Sequence, residues 1–223
     1  MSASSPVYRP LRLAVLISGG GSTLANLLDR IADGRLTGVE VSLVISSRRD
    51  VRGVEIARQA GLPLEIIRRR DYPDDLAYSD ALTAALARAA VDLIVMGGFL
   101  RFWHVPPQYA GRVLNIHPAL LPRHGGRGMY GLRVHAAVLA AGHRESGCTV
   151  HLVDNQYDHG PIIAQRRVPV LPGDTPETLA GRVGVQEREL YPEVIQQVAQ
   201  HGVEWLQNAA QPQDTLGPRP PTA

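Results

Sequence analysis

The sequence predicts an α/β protein built on a doubly wound, mostly parallel sheet. Residues 13–17 form a continuous apolar run typical of a buried parallel strand, and a glycine-rich turn follows them. Strand-like and helix-like segments then alternate along the chain, as in Rossmann-like folds. With 223 residues, of which 44% are hydrophobic, the chain can bury one sizeable core. We therefore expect a single domain at residues 1–206.

The first half of the chain should contain four strands and three helices. The first helix follows the glycine turn and should be capped by Ser22 or Thr23, while the third should pack through Leu76, Leu82 and Leu86. The predicted strands cover residues 13–17, 39–45, 64–67 and 91–96, and the later helices cover 54–59 and 73–90.

The second half begins with a strand at residues 113–117, which Pro118 ends because proline cannot donate to a sheet. A mobile, glycine-rich segment at 120–131 should follow, then a helix at 132–141 and strands at 148–153 and 162–170. Thr175, Pro176 and Thr178 predict the start of a helix that runs to about His201, with an interruption near Pro192. The polar, proline-rich residues 207–223 should be a disordered tail.

Composition excludes several classes of function. The net charge of +2 is too small for a nucleic-acid footprint, and no apolar run is long enough to span a membrane. Residues 1–6 lack the apolar core of a signal peptide, so we expect a cytoplasmic protein. Cys148 is the only cysteine and should be buried packing, without a disulfide or a cysteine-based metal cluster.

All 23 basic residues are Arg, and there is no Lys. This excludes a Schiff-base lysine and the lysine of a P-loop, while the arginine fork remains available for carboxylates and phosphates. The eight histidines are scattered without the spacing of helical metal ligands. We therefore expect no metal.

Residues 18–23, Ser-Gly-Gly-Gly-Ser-Thr, connect the first strand to the first helix. A helix N-terminus presents free backbone N–H groups to an anion, so the loop is a candidate phosphate site. Glycine could equally serve the geometry of a tight turn, and the loop by itself leaves both interpretations open.

Asn115 and His117 lie two residues apart on the fifth strand, so they should point to the same side at its carboxyl end. An amide donor beside an imidazole suits acyl chemistry, because one can hold an oxyanion while the other moves a proton. The alternative is that both side chains only satisfy loop backbone groups. Asp158 is a candidate third member, or simply a turn residue before Gly160 and Pro161.

Four motifs in order carry a resemblance to a known family. They are residues 15–22 (VLISGGGS), 98–101 (GFLR), 115–122 (NIHPALLP) and 158–161 (DHGP). Across roughly residues 11–201 the chain resembles the phosphoribosylglycinamide formyltransferases, folate-dependent enzymes of purine synthesis within the formyltransferase superfamily. The resemblance implies the formyltransferase fold and 10-formyltetrahydrofolate as the formyl-donor cosubstrate.

The resemblance also implies roles for individual residues. Asn115, His117 and Asp158 correspond to the catalytic trio, and the charge of Asp158 should raise the pKa of His117. Glycinamide ribonucleotide should bind at Gly21, Ser22, Thr23, Leu24, Ala25 and Glu187. The folate should bind at Leu100, Arg101, Phe102, Trp103, Asn115, Asp154, Asn155, Gln156, Tyr157 and Asp158.

The chain departs from the family pattern at three places. Thr23 stands where many members have Asn, and no folate-contacting Arg aligns near Asp75, for which Arg70 is the candidate substitute. The segment at 125–131 is longer than in many members.

Three other functions compete. A 10-formyltetrahydrofolate hydrolase would use the same trio, and a non-catalytic nucleotide-binding module would use none of it. An NAD-dependent dehydrogenase fits poorly, because Leu24 occupies the third glycine position and no acidic residue follows the second strand until Asp50. The expected partners are small molecules, without nucleic acid or membrane, for a monomer or homodimer.

Overall fold

A computed structural model describes residues 9–211, which contain a seven-stranded sheet flanked by helices. The strands are β1 (Leu11–Ile17), β2 (Val39–Ser46), β3 (Leu64–Ile66), β4 (Leu93–Met96), β5 (Val113–His117), β6 (Glu145–Leu152) and β7 (Ile162–Pro169). The helices are α1 (Ser22–Ala32), α2 (Arg52–Gln59), α3 (Asp75–Arg88), α4 (Leu132–Ala140), α5 (Pro176–His201) and α6 (Trp205–Ala209).

The strand order is β3-β2-β1-β4-β5-β6-β7. The strands from β3 to β5 are parallel, whereas β6 and β7 run antiparallel to their neighbours. The predicted mostly parallel sheet is therefore confirmed. The chain order reverses between β1 and β4, which opens a crevice at the carboxyl ends of these two strands.

The core consists of two apolar layers, one on each face of the sheet. One layer joins the sheet to α1 and α5 through residues such as Leu27 and Ile195, and it includes Cys148 as predicted. The other joins the sheet to α3 through Leu82 and Leu86. The prediction for Leu76 is wrong, because this side chain is 63% exposed.

The caps of two helices differ in how well the sequence predicted them. Thr175 and Thr178 form a capping box at the start of α5, as expected. At α1 the prediction is wrong: Ser22 is already helical, and Gly21 is the N-cap in a left-handed conformation with φ 69°. Glycine reaches this conformation without steric cost, so no side-chain cap forms here.

Helix α5 continues through Pro192, and the predicted interruption is absent. Pro192 has no N–H to donate to the carbonyl oxygen of Arg188, one helical turn earlier. The Nδ2 atom of Asn26 in α1 donates to that oxygen at 2.9 Å instead. A side chain from a neighbouring helix thus replaces the backbone bond that proline removes.

The ordered chain extends beyond the expected boundary at residue 206. Residues 207–209 belong to α6, and Gln211 pairs with Ile162 at the edge of β7. The predicted tail therefore cannot begin at 207, and its remainder, residues 212–223, lies outside the described residues, as do residues 1–6. In the described part, no helix is both long and apolar enough to cross a membrane.

Candidate active site

A cavity of about 670 Å³ occupies the crevice at the carboxyl ends of β1, β4 and β5. Gly97, at the end of β4, approaches α1 so closely that a Cβ atom there would lie 2.8 Å from Cβ of Thr23. This close contact brings the glycine loop and the end of β4 together as two walls of the cavity.

The glycine loop presents only part of its predicted residues to the cavity. Gly21, Ser22 and Thr23 line it, but Leu24 is fully buried in the core and Ala25 lies away from it. The backbone N–H of Ala25 already donates to the carbonyl of Gly21 at 2.9 Å. Leu24 and Ala25 do not line the cavity, and their predicted roles in binding the ribonucleotide stay predictions.

Asn115, His117 and Asp158 all line the same cavity. The Nε2 atom of His117 is 2.8 Å from the carbonyl oxygen of His124, so Nε2 carries a proton and donates it. The opposite nitrogen, Nδ1, lies 3.5 Å from Oδ2 of Asp158. The structure thus brings the loop carboxylate to the strand-end imidazole.

Burial, more than charge, sets the ionisation of this pair. Burial lowers the pKa of the His117 imidazole below its ordinary value, although the carboxylate of Asp158 acts in the opposite direction. Asp158 raises the pKa of His117, as expected, but burial outweighs this effect. The pKa of Asp158 itself lies below its ordinary value: burial raises it, but the His151 and His117 rings and the Gly126 N–H, which donates at 3.0 Å, outweigh burial.

His151 is a site residue that the sequence analysis missed. It lies on β6 directly opposite Asn115 and is 2% exposed. Its Nδ1 atom is 2.8 Å from the carbonyl oxygen of Leu152, and its Nε2 atom is 3.0 Å from Nδ2 of Asn115. Only the pairing of β5 with β6 creates this contact, and no motif in the sequence signals it.

A smaller cavity of about 70 Å³ adjoins the main one and is lined by residues predicted to bind folate, namely Arg101, Phe102, Trp103, Asn115, Asp154, Gln156, Tyr157 and Asp158. The rings of Phe102 and Tyr157 lie 5.1 Å apart and form an aromatic wall. Leu100 lines the main cavity instead. Asn155 lines neither, because its side chain bonds to the backbone of Val105 at 2.9 and 3.4 Å and holds the loop in place.

Comparison with known proteins decides the family. The sequence pattern described as "Formyl transferase" matches residues 11–195. The chain belongs to the formyl transferase family. It is 43% identical over 202 residues to phosphoribosylglycinamide formyltransferase of Mycobacterium tuberculosis, covering 89% of each chain. The chloroplastic enzyme of the same name from Arabidopsis thaliana is 39% identical over 212 residues, 93% of this chain and 72% of the relative.

The fold agrees with that of solved relatives. The crystal structure of glycinamide ribonucleotide transformylase 1 from Symbiobacterium toebii superposes with a TM-score of 0.80 at 38% identity, over 90% of this chain and 92% of that one. As a member of this family the chain is a formyl-group transferase. The dehydrogenase alternative is not favoured.

In this formyl transferase, several side chains beyond the predicted ones line the main cavity. They include Phe99, Tyr130, Arg133 and His135. His135 is buried, and its Nδ1 atom has no hydrogen-bond partner within residues 9–211. Arg133 lies over the ring of Tyr130 at 5.1 Å. The sequence shows the length of the segment at 125–131, whereas only the structure shows that residues 126–131 line the main cavity.

The predicted substitute for a folate-contacting arginine finds no support. Arg70 is exposed and lines neither the main cavity nor the smaller one, and Asp75 forms an ion pair with Arg69.

Within the described residues, no group of three or more His, Cys, Asp or Glu side chains is placed to hold a metal ion.

Proposed function

We propose that this protein transfers the formyl group of 10-formyltetrahydrofolate to the amine of 5'-phosphoribosylglycinamide, in de novo purine biosynthesis. The products would be formylglycinamide ribonucleotide and tetrahydrofolate. The observation that carries the proposal is the meeting of Asn115, His117 and Asp158 in the same cavity as the glycine loop. The names of the relatives, at 39–43% identity, support the substrates.

In the reaction the amine would attack the formyl carbon, and a new C–N bond would form as the carbonyl oxygen becomes an oxyanion. The Nδ2 atom of Asn115 would donate to this oxyanion. Collapse would then break the bond between the formyl carbon and the folate nitrogen. The atoms balance if one proton moves from the attacking amine to the departing nitrogen.

His117 is suited to carry that proton at Nδ1. Its Nε2–H is held by the carbonyl of His124, and its lowered pKa keeps the ring neutral before reaction. A proton taken at Nδ1 would create an imidazolium 3.5 Å from Asp158, whose negative charge stabilises it. The proton would then pass to the leaving nitrogen.

The ribonucleotide phosphate would lie against the glycine loop, where backbone N–H groups at the start of α1 can hold it. In a chain without lysine, Arg188 is a suitable source of positive charge. It lines a small cavity together with Ser22, Thr23 and Glu187, and its side chain has no ion-pair partner in the described chain. Inorganic phosphate and ribose 5-phosphate should therefore compete with the ribonucleotide, and purely noncompetitive inhibition would contradict this placement.

The folate would bind in the main cavity and extend into the smaller cavity beside the Phe102–Tyr157 wall. Flat rings stack favourably on aromatic side chains, and Arg101 at the exposed rim can meet a carboxylate. The monomeric or homodimeric state, the cytoplasmic location and the absence of metal and nucleic acid stay predictions from the sequence.

One assay tests the proposal. The protein is mixed with 10-formyltetrahydrofolate, with and without glycinamide ribonucleotide, and tetrahydrofolate and the formylated ribonucleotide are measured. Turnover only with both substrates supports the transferase. Release of formate without the ribonucleotide would identify a hydrolase, and binding without turnover would identify a non-catalytic module.

A further inference from the structure

A second cavity, separate from the proposed formyl-transfer site, lies beyond the segment that follows β5. Its volume is about 510 Å³. It is bounded by the residues just after Pro118, the end of α4 and the strands β6 and β7. The charged and imidazole side chains that line it are Arg123, His124, His143, Arg144, Glu145 and Arg167. We call it the arginine pocket.

Positive charge is in excess in the arginine pocket. Glu145 is its only carboxylate, and Arg167 pairs with it at 2.8 Å. Arg123 and Arg144 are exposed, and neither side chain has a hydrogen-bond or ion-pair partner within residues 9–211. Two arginine forks therefore remain available to an anion, and the same charges exclude a metal cation.

Buried polar atoms in the arginine pocket also lack partners. His124 Nε2 and Ser146 Oγ are inaccessible to solvent and have no hydrogen-bond partner in the described chain, and the Ser146 residue is only 2% exposed. A buried polar group without a partner costs free energy, and a ligand recovers it only if a side-chain rotation turns the atom towards the cavity. The arginine pocket thus has free charge at its surface and unsatisfied polar atoms within its wall.

We propose that the arginine pocket binds a small, multiply charged oxyanion. The chemistry of recognition is that of phosphate or carboxylate groups, which arginine forks and imidazole N–H groups hold in common. A volume of about 510 Å³ admits a molecule larger than a single phosphate ion.

His124 contacts both the arginine pocket and the formyl-transfer site. The His124 ring lies 5.1 Å from that of His143 in the arginine pocket, while the His124 carbonyl accepts from Nε2 of His117 at 2.8 Å. His124 also has a φ of 55°, which non-glycine residues seldom adopt. An anion that moves the His124 ring therefore also acts on the His117 imidazole.

The electrostatics of His124 agree with this reading. Burial lowers the pKa of the His124 imidazole, and electrostatic interactions with the neighbouring His143, Arg123 and His117 lower it further. A bound anion would reverse the second effect and favour the imidazolium, which adds a charge-assisted hydrogen bond.

Isothermal titration with pyrophosphate and, separately, with citrate tests the site without using enzyme activity. We expect saturable binding by the unaltered protein and affinity weaker by about tenfold or more in the R123Q/R144Q variant. The matched control is R58Q/R112Q, which removes two exposed arginines that line none of the four cavities and have no ion pairs. It should bind as the unaltered protein does.

The outcomes separate the explanations. Equal affinity in R123Q/R144Q would place the anion elsewhere, at the glycine loop for instance, and equal weakening in both double variants would show unspecific charge attraction; either result overturns the proposal. Binding of both probes would identify a general oxyanion site, and binding of pyrophosphate alone would identify a phosphate site.

An NMR experiment tests the coupling between the arginine pocket and His117. Pyrophosphate should shift the imidazole resonances of His117 in the unaltered protein but not in R123Q/R144Q, and unchanged resonances in the unaltered protein would reject the coupling.

Discussion

The Nε2 atom of His151 accepts a hydrogen bond from Nδ2 of Asn115 at 3.0 Å. The neutral ring, which donates at Nδ1 to the carbonyl of Leu152 at 2.8 Å, leaves Nε2 as the acceptor, and Oδ1 of Asp158 lies 3.7 Å from the same Nε2. This bond fixes which end of the Asn115 amide is nitrogen. One N–H is held by His151, and the second stays available for the oxyanion.

His151 should therefore be a positioning residue that acts through Asn115. Replacing it by Phe removes the acceptor, and we expect kcat to fall by about tenfold or more, while removal of the donor itself in N115A costs about 10²–10³ in rate. His151→Gln offers a carbonyl acceptor and should recover part of the loss. Steady-state kinetics of the three variants measure this, with KM for the ribonucleotide little changed.

The double variant N115A/H151F separates positioning from a general structural effect. If His151 works through Asn115, the double variant should be no slower than N115A alone. Fully additive losses, or a rise in KM without a change in kcat, would contradict this role.

Asp158→Asn should lower the pKa of His117 further. Asp158 raises this pKa against the effect of burial, so removing its charge leaves burial unopposed. Asn suits the position because Asp158 has a φ of 53°, and Asn tolerates this conformation better than most residues. Folding should be spared and most turnover lost.

NMR titration of the His117 imidazole measures this shift, and circular dichroism checks the fold. His201→Gln is a suitable control, since His201 is exposed at the end of α5 and lines none of the four cavities. A His117 pKa that rises in D158N, or near-native turnover, would contradict the proposed role of Asp158.

Glu187 should make stability depend on pH. Burial raises its pKa to about 7 from an ordinary value of 4.5, so the folded protein holds a proton that the unfolded chain releases. This contribution to stability is complete below pH 4.5 and is lost as the pH rises towards 7. Glu187→Gln should remove this pH-dependent loss of stability, so the free energy of unfolding of E187Q should change less between pH 4.5 and about 7.

Urea unfolding of the unaltered protein and E187Q at several pH values tests the prediction. Glu55→Gln changes an exposed glutamate on α2 and serves as the control. If the difference between the unaltered protein and E187Q stayed constant with pH, the assignment of the proton to Glu187 would be wrong.

Asn26→Ala should destabilise the protein by about 1 kcal/mol, because the carbonyl of Arg188 loses its side-chain donor. In a Pro192→Ala background, the restored N–H of residue 192 can donate to the same carbonyl. The cost of N26A should then be smaller, and denaturant unfolding of the four proteins measures the difference. An equal cost in both backgrounds would show that the Asn26 bond does not compensate for Pro192.

The sequence by itself determined the order and kind of the elements from β1 to α5, but not α6. Continuous apolar runs such as residues 13–17 mark buried strands, and the residues Thr175, Pro176 and Thr178 mark a helix start, because these signals are local. The same locality explains the failures. Leu76 has helical spacing but faces solvent, and the cap of α1 is a glycine whose left-handed backbone no side-chain pattern reveals.

For the candidate site, the sequence could name Asn115, His117 and Asp158, because a strand end and a resemblance pointed to them. Only the tertiary structure decided that His151 meets Asn115, that Asn26 satisfies the carbonyl left free by Pro192, and that His124 joins two cavities. These contacts span 36, 162 and 7 residues. They depend on strand register, helix packing and one unusual backbone angle. Local sequence patterns do not determine any of these three features.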